Sequence, residues 1–189
     1  MSTYVYMVRH GESPKTENNE RTRGLTDKGW SDAKRITELL KEENINAFIS
    51  SPYSRAILTI EESARFYGKE IVVFEELREL EFSNDDGILT DAEIYPLVDR
   101  MISEPELSLP GGESSQICRD RAVGVLKRIL KEYQGQKVVI GTHGLVMTLM
   151  MRYFDSRYDF DFLIKTTKPD IYRLEFEEES LVEVKRLWD

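Results

Sequence analysis

Hydrophobic residues along the chain alternate between short β-branched or aromatic runs and longer segments with helical spacing. The short runs predict strands over residues 4–8, 47–50, 71–74 and 138–141. The helically spaced segments predict helices over about 26–43, 52–67, 117–135 and 145–154. Two closing runs, 171–176 and 181–187, predict a hairpin through the acidic turn at Glu178 and Glu179.

The alternation of strands and helices indicates an α/β fold. We expect a three-layer α/β/α sandwich around a mainly parallel central sheet, with an antiparallel C-terminal strand. A chain of 189 residues is long enough to bury a full hydrophobic core, so we expect a single domain over residues 1–189.

The pattern weakens between residues 75 and 113, where acidic segments replace the hydrophobic periodicity. We expect a loop at residues 84–87, and Pro96, Pro105 and Pro110 should limit any helix here to short pieces. We interpret this segment as an insertion, or lid, at about 75–113 over one end of the sheet.

The composition narrows the class of protein. The balance of 40% hydrophobic and 32% charged residues is typical of a soluble globular protein. A formal net charge of -9 argues against a nucleic-acid partner, because such binding depends on basic side chains. The N-terminal residues lack a signal-peptide pattern and no stretch is long enough to span a bilayer, so we expect a cytoplasmic protein without a membrane partner. The single cysteine, Cys118, excludes an internal disulfide and is expected to be a small buried core residue.

Polar residues directly follow the first and fourth predicted strands. The first strand leads into Arg-His-Gly-Glu at residues 9–12, and the fourth leads into Thr-His-Gly at residues 142–144. Functional clefts of parallel sheets lie at the carboxyl ends of the strands. The two histidines of the chain, His10 and His143, should therefore emerge at the same rim.

The first of these motifs suits chemistry on phosphorus. A neutral imidazole such as that of His10 is a competent nucleophile, and the neighbouring Arg9 can hold phosphate oxygens by charge-assisted hydrogen bonds. A plainer interpretation is also open, in which His10 pairs with Glu12 in a surface loop. By the same reasoning, His143 alone fits a buried core residue.

Arg55 lies just after the second predicted strand, at the beginning of a helix. Free backbone N–H groups and the helix dipole favour an anion at such a position, and the guanidinium would reach the same rim. The alternative is an exposed arginine that pairs with Glu61 or Glu62.

Six short polar motifs are spread over nearly the whole chain. They are Arg9-His10-Gly11-Glu12-Ser13, Leu25-Thr26 with Gly29, Ser51-Pro52 with Arg55, Leu77-Arg78-Glu79, Pro110-Gly111-Gly112-Glu113-Ser114, and Thr142-His143-Gly144. In this order and at this spacing, the chain resembles the histidine phosphatase superfamily, the group that includes phosphoglycerate mutase. Each motif is weak alone, whereas the ordered set is specific.

The resemblance implies that His10 attacks the phosphorus and carries the phosphoryl group as a covalent intermediate. Arg9, Arg55, His143 and Gly144 would bind the phosphate, and the two arginines with His143 would neutralise its charge during transfer. The resemblance implies no metal ion and no cofactor.

The same resemblance implies that Glu79 protonates the leaving alcohol and later accepts a proton from water. Glu75, Glu76 and Glu81 crowd the same stretch, and only the Leu-Arg-Glu context selects Glu79. Family members often continue with glycines and a tryptophan after this glutamate, which this chain does not. Many also have an asparagine six residues after the nucleophile, where this chain has Thr16, a candidate phosphate ligand through its hydroxyl group.

We expect a phosphatase acting on small phosphate monoesters. The alternative within the family is a phosphoglycerate mutase, which must grip a carboxylate as well as a phosphate. The insertion contains only Arg78 and Arg100 as basic residues, so an acidic lid would favour substrates that are neutral or cationic beyond their phosphate. A third possibility is a non-catalytic module that binds phosphorylated ligands. The sequence leaves the physiological substrate and the oligomeric state open.

Overall fold

The protein has one central, mainly parallel sheet. The structure is a computed structural model that describes residues 1–15, 19–83 and 90–189. The strands of the described chain are β1 (Ser2–Arg9), β2 (Ala47–Ser50), β3 (Ile71–Val73), β4 (Lys137–Thr142), β5 (Asp170–Glu177) and β6 (Ser180–Arg186). Their order in the sheet is β3-β2-β4-β1-β5-β6. Strands β1 to β4 pair in parallel, whereas β5 pairs antiparallel with β1, and β6 antiparallel with β5.

Helices connect the parallel strands. They are α1 (Asp27–Leu40), α2 (Ser54–Phe66), α3 (Asp91–Ser103), α4 (Ser115–Glu132), α5 (Gly144–Phe154) and α6 (Phe160–Lys165), and a 3-10 turn lies at Glu75–Leu77. Side-chain hydroxyl groups cap the N-termini of several helices. The Thr26 hydroxyl accepts a hydrogen bond from the Gly29 N–H at α1, and the Ser114 hydroxyl accepts one from the Ile117 N–H at α4.

Two apolar clusters cover the two faces of the sheet, because successive strand residues point to opposite sides. In β1, Val5 and Met7 belong to the cluster formed with α3, α4 and α5, whereas Tyr6 and Val8 belong to the cluster formed with α1 and α2. All four side chains are fully buried. The molecule therefore has three layers, helices on either side of one sheet.

The predicted fold class is confirmed, including the antiparallel C-terminal hairpin. The predicted strands and helices are present, with bounds that differ by up to three residues. Helix α6 was not predicted, since six residues are too few to establish a helical period. The loop expected at residues 84–87 lies outside the described residues.

One prediction within the insertion is wrong. Pro96 was expected to limit helices to short pieces, yet it lies inside the 13-residue helix α3. A capping box stabilises the beginning of this helix, because Thr90 accepts the Glu93 N–H and the Glu93 side chain accepts the Thr90 N–H. Burial of Val98 and Met101 against the core further offsets the proline, which costs about 3 kcal/mol in a helix interior.

Cys118 is fully buried in α4, and burial raises the pKa of its thiol well above the usual value. Such a thiol is a poor nucleophile, because only the thiolate reacts readily. Among the described residues, none of the helices has the length and apolar character required to cross a membrane.

Candidate active site

The two histidines leave the sheet side by side. Strands β1 and β4 are adjacent and parallel, and Arg9 is in register with Thr142. The residue after each strand is therefore a histidine at the same edge, and the His10 N–H donates to the Thr142 carbonyl at 3.0 Å. The ring centroids of His10 and His143 are 5.2 Å apart.

The tautomer of His10 follows from one contact. Its Nδ1 lies 2.7 Å from the carbonyl oxygen of Gly11, which can only accept, so Nδ1 carries the proton. In the neutral ring the lone pair then lies on Nε2. Burial, followed by the charges of Arg55, His143 and Arg9, holds the pKa of His10 well below its usual value. His10 is thus neutral near pH 7, as a nucleophile must be.

His143 is more deeply enclosed. Its Nε2 lies 2.7 Å from the Ser51 hydroxyl, and its ring packs edge-on against Tyr53 at 5.1 Å. Burial, then the charges of Arg55, Arg23 and Arg9, hold the pKa of His143 well below its usual value. Within the described chain, its buried Nδ1 has no hydrogen-bond partner. The ring lies behind the surface of the cavity described below, next to His10, rather than lining it.

Arg9 crosses the beginning of α5. Its Nη1 donates to the Thr166 hydroxyl at 2.5 Å, and the side chain is buried. A Cβ atom at Gly144 would lie 2.7 Å from the guanidinium carbon. Gly144 therefore makes room for Arg9, a structural role that the sequence analysis did not assign to it.

Arg55 and Arg23 share one carboxylate. Arg55 donates to the Glu20 carbonyl at 2.5 Å and to the Glu20 carboxylate at 2.9 Å, and Arg23 Nε donates to the same carboxylate at 3.1 Å. Arg55 is only 2% exposed, and burial lowers its pKa to about 10. Burial acts to raise the pKa of Glu20, but Arg55 and Arg23 outweigh burial and lower it. The alternative partners Glu61 and Glu62 are not those that Arg55 contacts.

The sequence analysis did not select Arg23, although it is 5% exposed and lines the cavity. It lies in a polar stretch without periodicity, so no sequence pattern marks it as buried. Its position is instead fixed by the ion pair with Glu20.

Glu79 lies at the N-terminus of α5. Its two carboxylate oxygens accept backbone N–H bonds from Leu145 at 2.9 Å, Val146 at 2.8 Å and Leu80 at 2.9 Å. A carboxylate is favoured at a helix N-terminus by the unpaired N–H groups and by the dipole. These bonds place Glu79 beside Gly144, at the edge of the cavity.

Arg121 of α4 binds the backbone of the segment around Glu79. The Arg121 guanidinium donates to the carbonyls of Glu76 at 2.6 Å, Arg78 at 2.8 Å and Glu79 at 3.2 Å, and it pairs with Glu113. The Pro-Gly-Gly-Glu-Ser motif packs against the same segment, because a Cβ atom at Gly112 would lie 2.0 Å from the Phe82 carbonyl oxygen. The motif thus supports the backbone that carries Glu79.

A cavity of about 530 Å³ opens over His10. Such a volume is typical of sites that enclose a small organic ligand and exceeds what a phosphate alone needs. Its cationic lining residues among those described are Arg9, Lys15, Arg21, Arg23, Arg55 and Lys168, and its carboxylates are Glu20, Glu79, Glu81 and Asp91. The cavity is therefore locally positive in a chain of net charge -9, unlike the acidic environment expected from the insertion alone.

Thr16 lies outside the described residues, so its predicted contact with phosphate stays a prediction. Among the residues that the structure describes, no three His, Cys, Asp or Glu side chains are grouped so as to hold a metal ion. The structure brings Arg9, His10, Arg55 and Glu79 to one cavity, with His143 directly behind it.

Comparison with known proteins identifies the family. A family model described as the histidine phosphatase superfamily (branch 1) matches residues 5–188, and the chain belongs to this superfamily. The chain is 30% identical over 184 residues to phosphoglycerate mutase-like protein 4 of Arabidopsis thaliana, covering 90% of this chain and 79% of that protein. It is 30% identical over 155 residues to phosphoserine phosphatase 1 of Hydrogenobacter thermophilus, covering 77% and 73%. The solved structure of Bacillus stearothermophilus YhfR aligns with a TM-score of 0.78 at 26% identity, covering 95% of this chain and 94% of that chain.

The resemblance noted from the motifs is thereby confirmed. The relatives include proteins named as phosphatases and proteins named as phosphoglycerate mutase-like. Membership of the superfamily therefore does not distinguish hydrolysis of a phosphate ester from transfer of its phosphoryl group.

Proposed function

We propose that the protein is a cytoplasmic, metal-independent phosphatase that hydrolyses small phosphate monoesters through a phosphohistidine on His10. The observation that carries this proposal is the bond from His10 Nδ1 to the Gly11 carbonyl, which leaves a lone pair on Nε2 of a neutral, buried imidazole. Guanidinium groups of Arg9, Arg55 and Arg23 surround that ring or line the cavity beside it.

In the first step, Nε2 of His10 forms a bond to phosphorus as the bond from phosphorus to the ester oxygen breaks. Glu79 gives its proton to the departing oxygen, so the product leaves as a neutral alcohol. In the second step, Glu79 accepts a proton from water, the water oxygen bonds to phosphorus, and the electron pair returns to Nε2. The products are the alcohol and inorganic phosphate.

The phosphate would be held by Arg9 and Arg55, with His143, Gly144 and Thr16 as further contacts. The two guanidiniums can bind its oxygens as charge-assisted pairs and neutralise the charge that develops during transfer. Because Glu20 occupies Arg55 in the described structure, the phosphate must displace this carboxylate as it binds. This set of cations supports a reaction that proceeds without a metal ion.

Glu79 is the best candidate for the proton donor among the carboxylates that line the cavity. Of these, Glu20, Glu81 and Asp91 are each held in an ion pair, whereas the described residues form none with Glu79. An ion pair occupies the oxygens that a proton donor must present to the substrate, whereas the Glu79 carboxylate is held at the cavity edge by backbone N–H groups.

Hydrolysis is favoured over mutase chemistry by the short connection between the first motif and Leu25, which leaves little chain to shield a phosphoenzyme from water. The presence of a nucleophile, several cations and a candidate acid argues against a module that only binds phosphorylated ligands.

We also propose that residues 1–189 form one domain, with the insertion at about 75–113 lining the side of the cavity that receives the alcohol.

The test is turnover of p-nitrophenyl phosphate in excess chelator, together with mass spectrometry of the phosphoenzyme after denaturation at alkaline pH, where the phosphorus–nitrogen bond persists. We expect sustained phosphate release, phosphorus on His10, and a loss of more than about 10,000-fold in the His10→Ala variant, the scale seen when a covalent nucleophile is removed. Full activity in that variant would refute the mechanism. Transfer of the trapped phosphoryl group to a phosphoglycerate faster than to water would instead identify a mutase.

A further inference from the structure

The two histidines beside the cavity use different ring nitrogens to contact different partners. His10 Nδ1 contacts the Gly11 carbonyl, whereas His143 Nε2 lies 2.7 Å from the hydroxyl oxygen of Ser51. A carbonyl oxygen can only accept a hydrogen bond, but a hydroxyl group can either donate or accept one. The position of the proton on the His143 ring therefore depends on what else the Ser51 hydroxyl contacts.

Ser51 is held between two strands of the sheet. Its backbone N–H donates to the Gly141 carbonyl of β4 at 2.9 Å, directly after the register pair formed by Ser50 and Gly141. The residue is 0% exposed. Its hydroxyl group therefore has no access to solvent and must find its hydrogen-bond partners within the protein.

The Ser51 hydroxyl already accepts one hydrogen bond. The Tyr53 N–H donates to Ser51 Oγ at 3.2 Å, and the described residues offer the hydroxyl proton no acceptor other than His143 Nε2. If Ser51 donates to Nε2, only the His143 Nδ1 group is left without a partner. If Nε2 carried the proton instead, both the Ser51 proton and the Nδ1 lone pair would lack partners. Because each unpaired buried polar group costs free energy, the first arrangement is favoured.

The His143 ring carries a single proton near pH 7. Burial is the largest cause that lowers its pKa well below the usual value, and nearby guanidinium groups add to the effect. A neutral imidazole with its lone pair on Nε2 holds its proton on Nδ1. Since Ser51 occupies Nε2, Nδ1 is the ring nitrogen that stays available to a ligand.

A donor at Nδ1 suits the phosphoryl group that the proposed function places on His10. The ring centroids of His10 and His143 are 5.2 Å apart, so an anion bonded to one imidazole lies close to the other. Ionised phosphate oxygens accept hydrogen bonds, so an N–H group attracts them whereas a nitrogen lone pair would repel them. His10 would thus present a lone pair to phosphorus, and His143 a proton to oxygen.

We propose that Ser51 is a positioning residue that holds His143 in the Nδ1–H tautomer, so that this ring donates a hydrogen bond to the phosphoryl group during transfer. The role in the reaction rests on the proposed phosphatase function, whereas the tautomer does not. Ser51 acts through His143 and makes no contact of its own with the phosphate.

A purely structural hydroxyl group is the competing explanation. Loss of a buried hydrogen bond lowers the melting temperature whether or not that bond affects the reaction. Two measurements separate the explanations, because a structural role would change neither of them. They are the tautomer of the His143 ring and the dependence of the Ser51 effect on the presence of that ring.

The tautomer is measured by long-range 1H–15N NMR of the protein labelled with 15N-histidine, at neutral pH and without substrate. The chain has only two histidines, and a His10→Gln variant assigns their signals. We expect both rings to carry the proton on Nδ1. In the Ser51→Ala variant, the Nε2–H form should appear at His143 but not at His10, which keeps its bond to the Gly11 carbonyl.

The effect on the reaction is measured as the specificity constant for p-nitrophenyl phosphate. We expect Ser51→Ala to lower it by about 10- to 100-fold, less than the loss of a whole transition-state donor. Ser51→Thr keeps the hydroxyl group and should lose less. Ser63→Ala is the matched control, because Ser63 is also 0% exposed and its hydroxyl bonds to that of Thr37 rather than to a histidine. Its specificity constant should equal that of the parent protein.

A double-variant cycle tests whether Ser51 acts through His143. In the His143→Ala background, Ser51→Ala should cause no further loss, because the ring that Ser51 positions is absent. The same full loss in both backgrounds would overturn the proposal. Parental activity in Ser51→Ala, with a lower melting temperature, would assign the hydroxyl group to structure alone.

Failure of this inference is distinguishable from failure of the phosphatase function. Sustained turnover by a parent protein whose His143 carries its proton on Nε2 would overturn the inference and leave the phosphatase intact. This spectrum decides the tautomer even if Ser51→Ala does not fold. If no ester is hydrolysed and no phosphohistidine is found, the phosphatase function fails, and the role of Ser51 in the reaction fails with it.

Discussion

Two groups of ionisable residues that line the cavity differ in their exposure to water. In the first group, Arg9, His10 and Arg55 are between 2% and 8% exposed and lie at the end of β1 and in the first turn of α2. In the second group, the side chains of Lys15 and Lys168 are 34% and 25% exposed and lie outside the helices and strands.

The exposure of a charge decides how strongly it interacts with its surroundings. Charges removed from water interact strongly and are fixed in place, as catalysis requires. Charges that keep part of their hydration interact more weakly and adjust more easily, as selection among substrates requires. Under the proposed function, substitutions in the buried group should therefore lower the activity far more than substitutions of the two lysines.

Among the cations of the cavity, the largest effect is expected for Arg55→Ala, which removes a desolvated guanidinium from the proposed phosphate site. We expect the specificity constant for every ester to fall by about 100- to 1,000-fold, the scale of losing one transition-state donor. Arg65→Ala is the control, because it removes an exposed arginine from the same helix. A loss no greater than that of Lys168→Gln, which removes a partly exposed lysine from the same cavity, would contradict the comparison between the two groups.

Glu79→Gln should separate chemistry from binding. With an alkyl phosphate, whose leaving alcohol needs a proton, we expect a loss of at least about 100-fold, whereas p-nitrophenyl phosphate should lose much less because its leaving group departs unprotonated. Glu81→Gln tests the neighbouring cavity-lining carboxylate and should leave both substrates nearly unaffected. Equal losses on both substrates would mean that Glu79 acts by capping α5 instead.

Stability should depend on pH through the two buried histidines. As the pH falls through about 6.5, the unfolded chain takes up protons on both rings, whereas the folded rings stay neutral because their pKa values are lowered. The stabilisation is complete above the unfolded pKa and is lost as the pH falls toward the lowered folded values. Urea unfolding should give a free energy about 2–3 kcal/mol lower at pH 5.5 than at pH 7.5.

The His10→Gln variant sharpens this measurement, because it should retain only about half of the pH dependence. The lowered pKa values of Glu20 and Asp91 start from ordinary values of 4.5 and 3.8, so these carboxylates act mainly at lower pH. A free energy of unfolding that does not change between pH 7.5 and 5.5 would mean that the rings protonate in the folded state.

The smallest effect is expected for Glu20→Gln. Under the proposed function, phosphate displaces the Glu20 carboxylate from Arg55 and Arg23, so removing the charge of Glu20 should tighten competitive inhibition by inorganic phosphate by roughly two- to fivefold, the scale of a half-exposed ion pair. Glu61→Gln is a matched control, since Glu61 and Glu20 side chains are both 46% exposed. Weaker inhibition would show that Glu20 positions the arginines rather than competing with phosphate.

The fold class and the proximity of the two histidines could be predicted from the amino-acid sequence. Both follow from local rules: β-branched runs form strands, and residues after parallel strands emerge at one edge. The helix around Pro96 was mispredicted because a local proline rule was outweighed by a capping box and by tertiary burial.

The pairing of the charged side chains, in contrast, depends on contacts between segments that are distant in sequence. Arg23 lies in a polar stretch without periodicity, and Arg121 lies in a helix whose pattern marks only the apolar positions. Each is placed by partners from other segments or from nearby turns, which are carboxylates or backbone carbonyls. Lys15, Asp91 and Lys168 are up to 153 residues apart along the chain, yet the fold brings them into one cluster. Hydrophobic periodicity indicates which face of a helix or strand is apolar. The net charge of a cavity depends on contacts between different helices, strands and loops, and no local sequence pattern indicates those contacts.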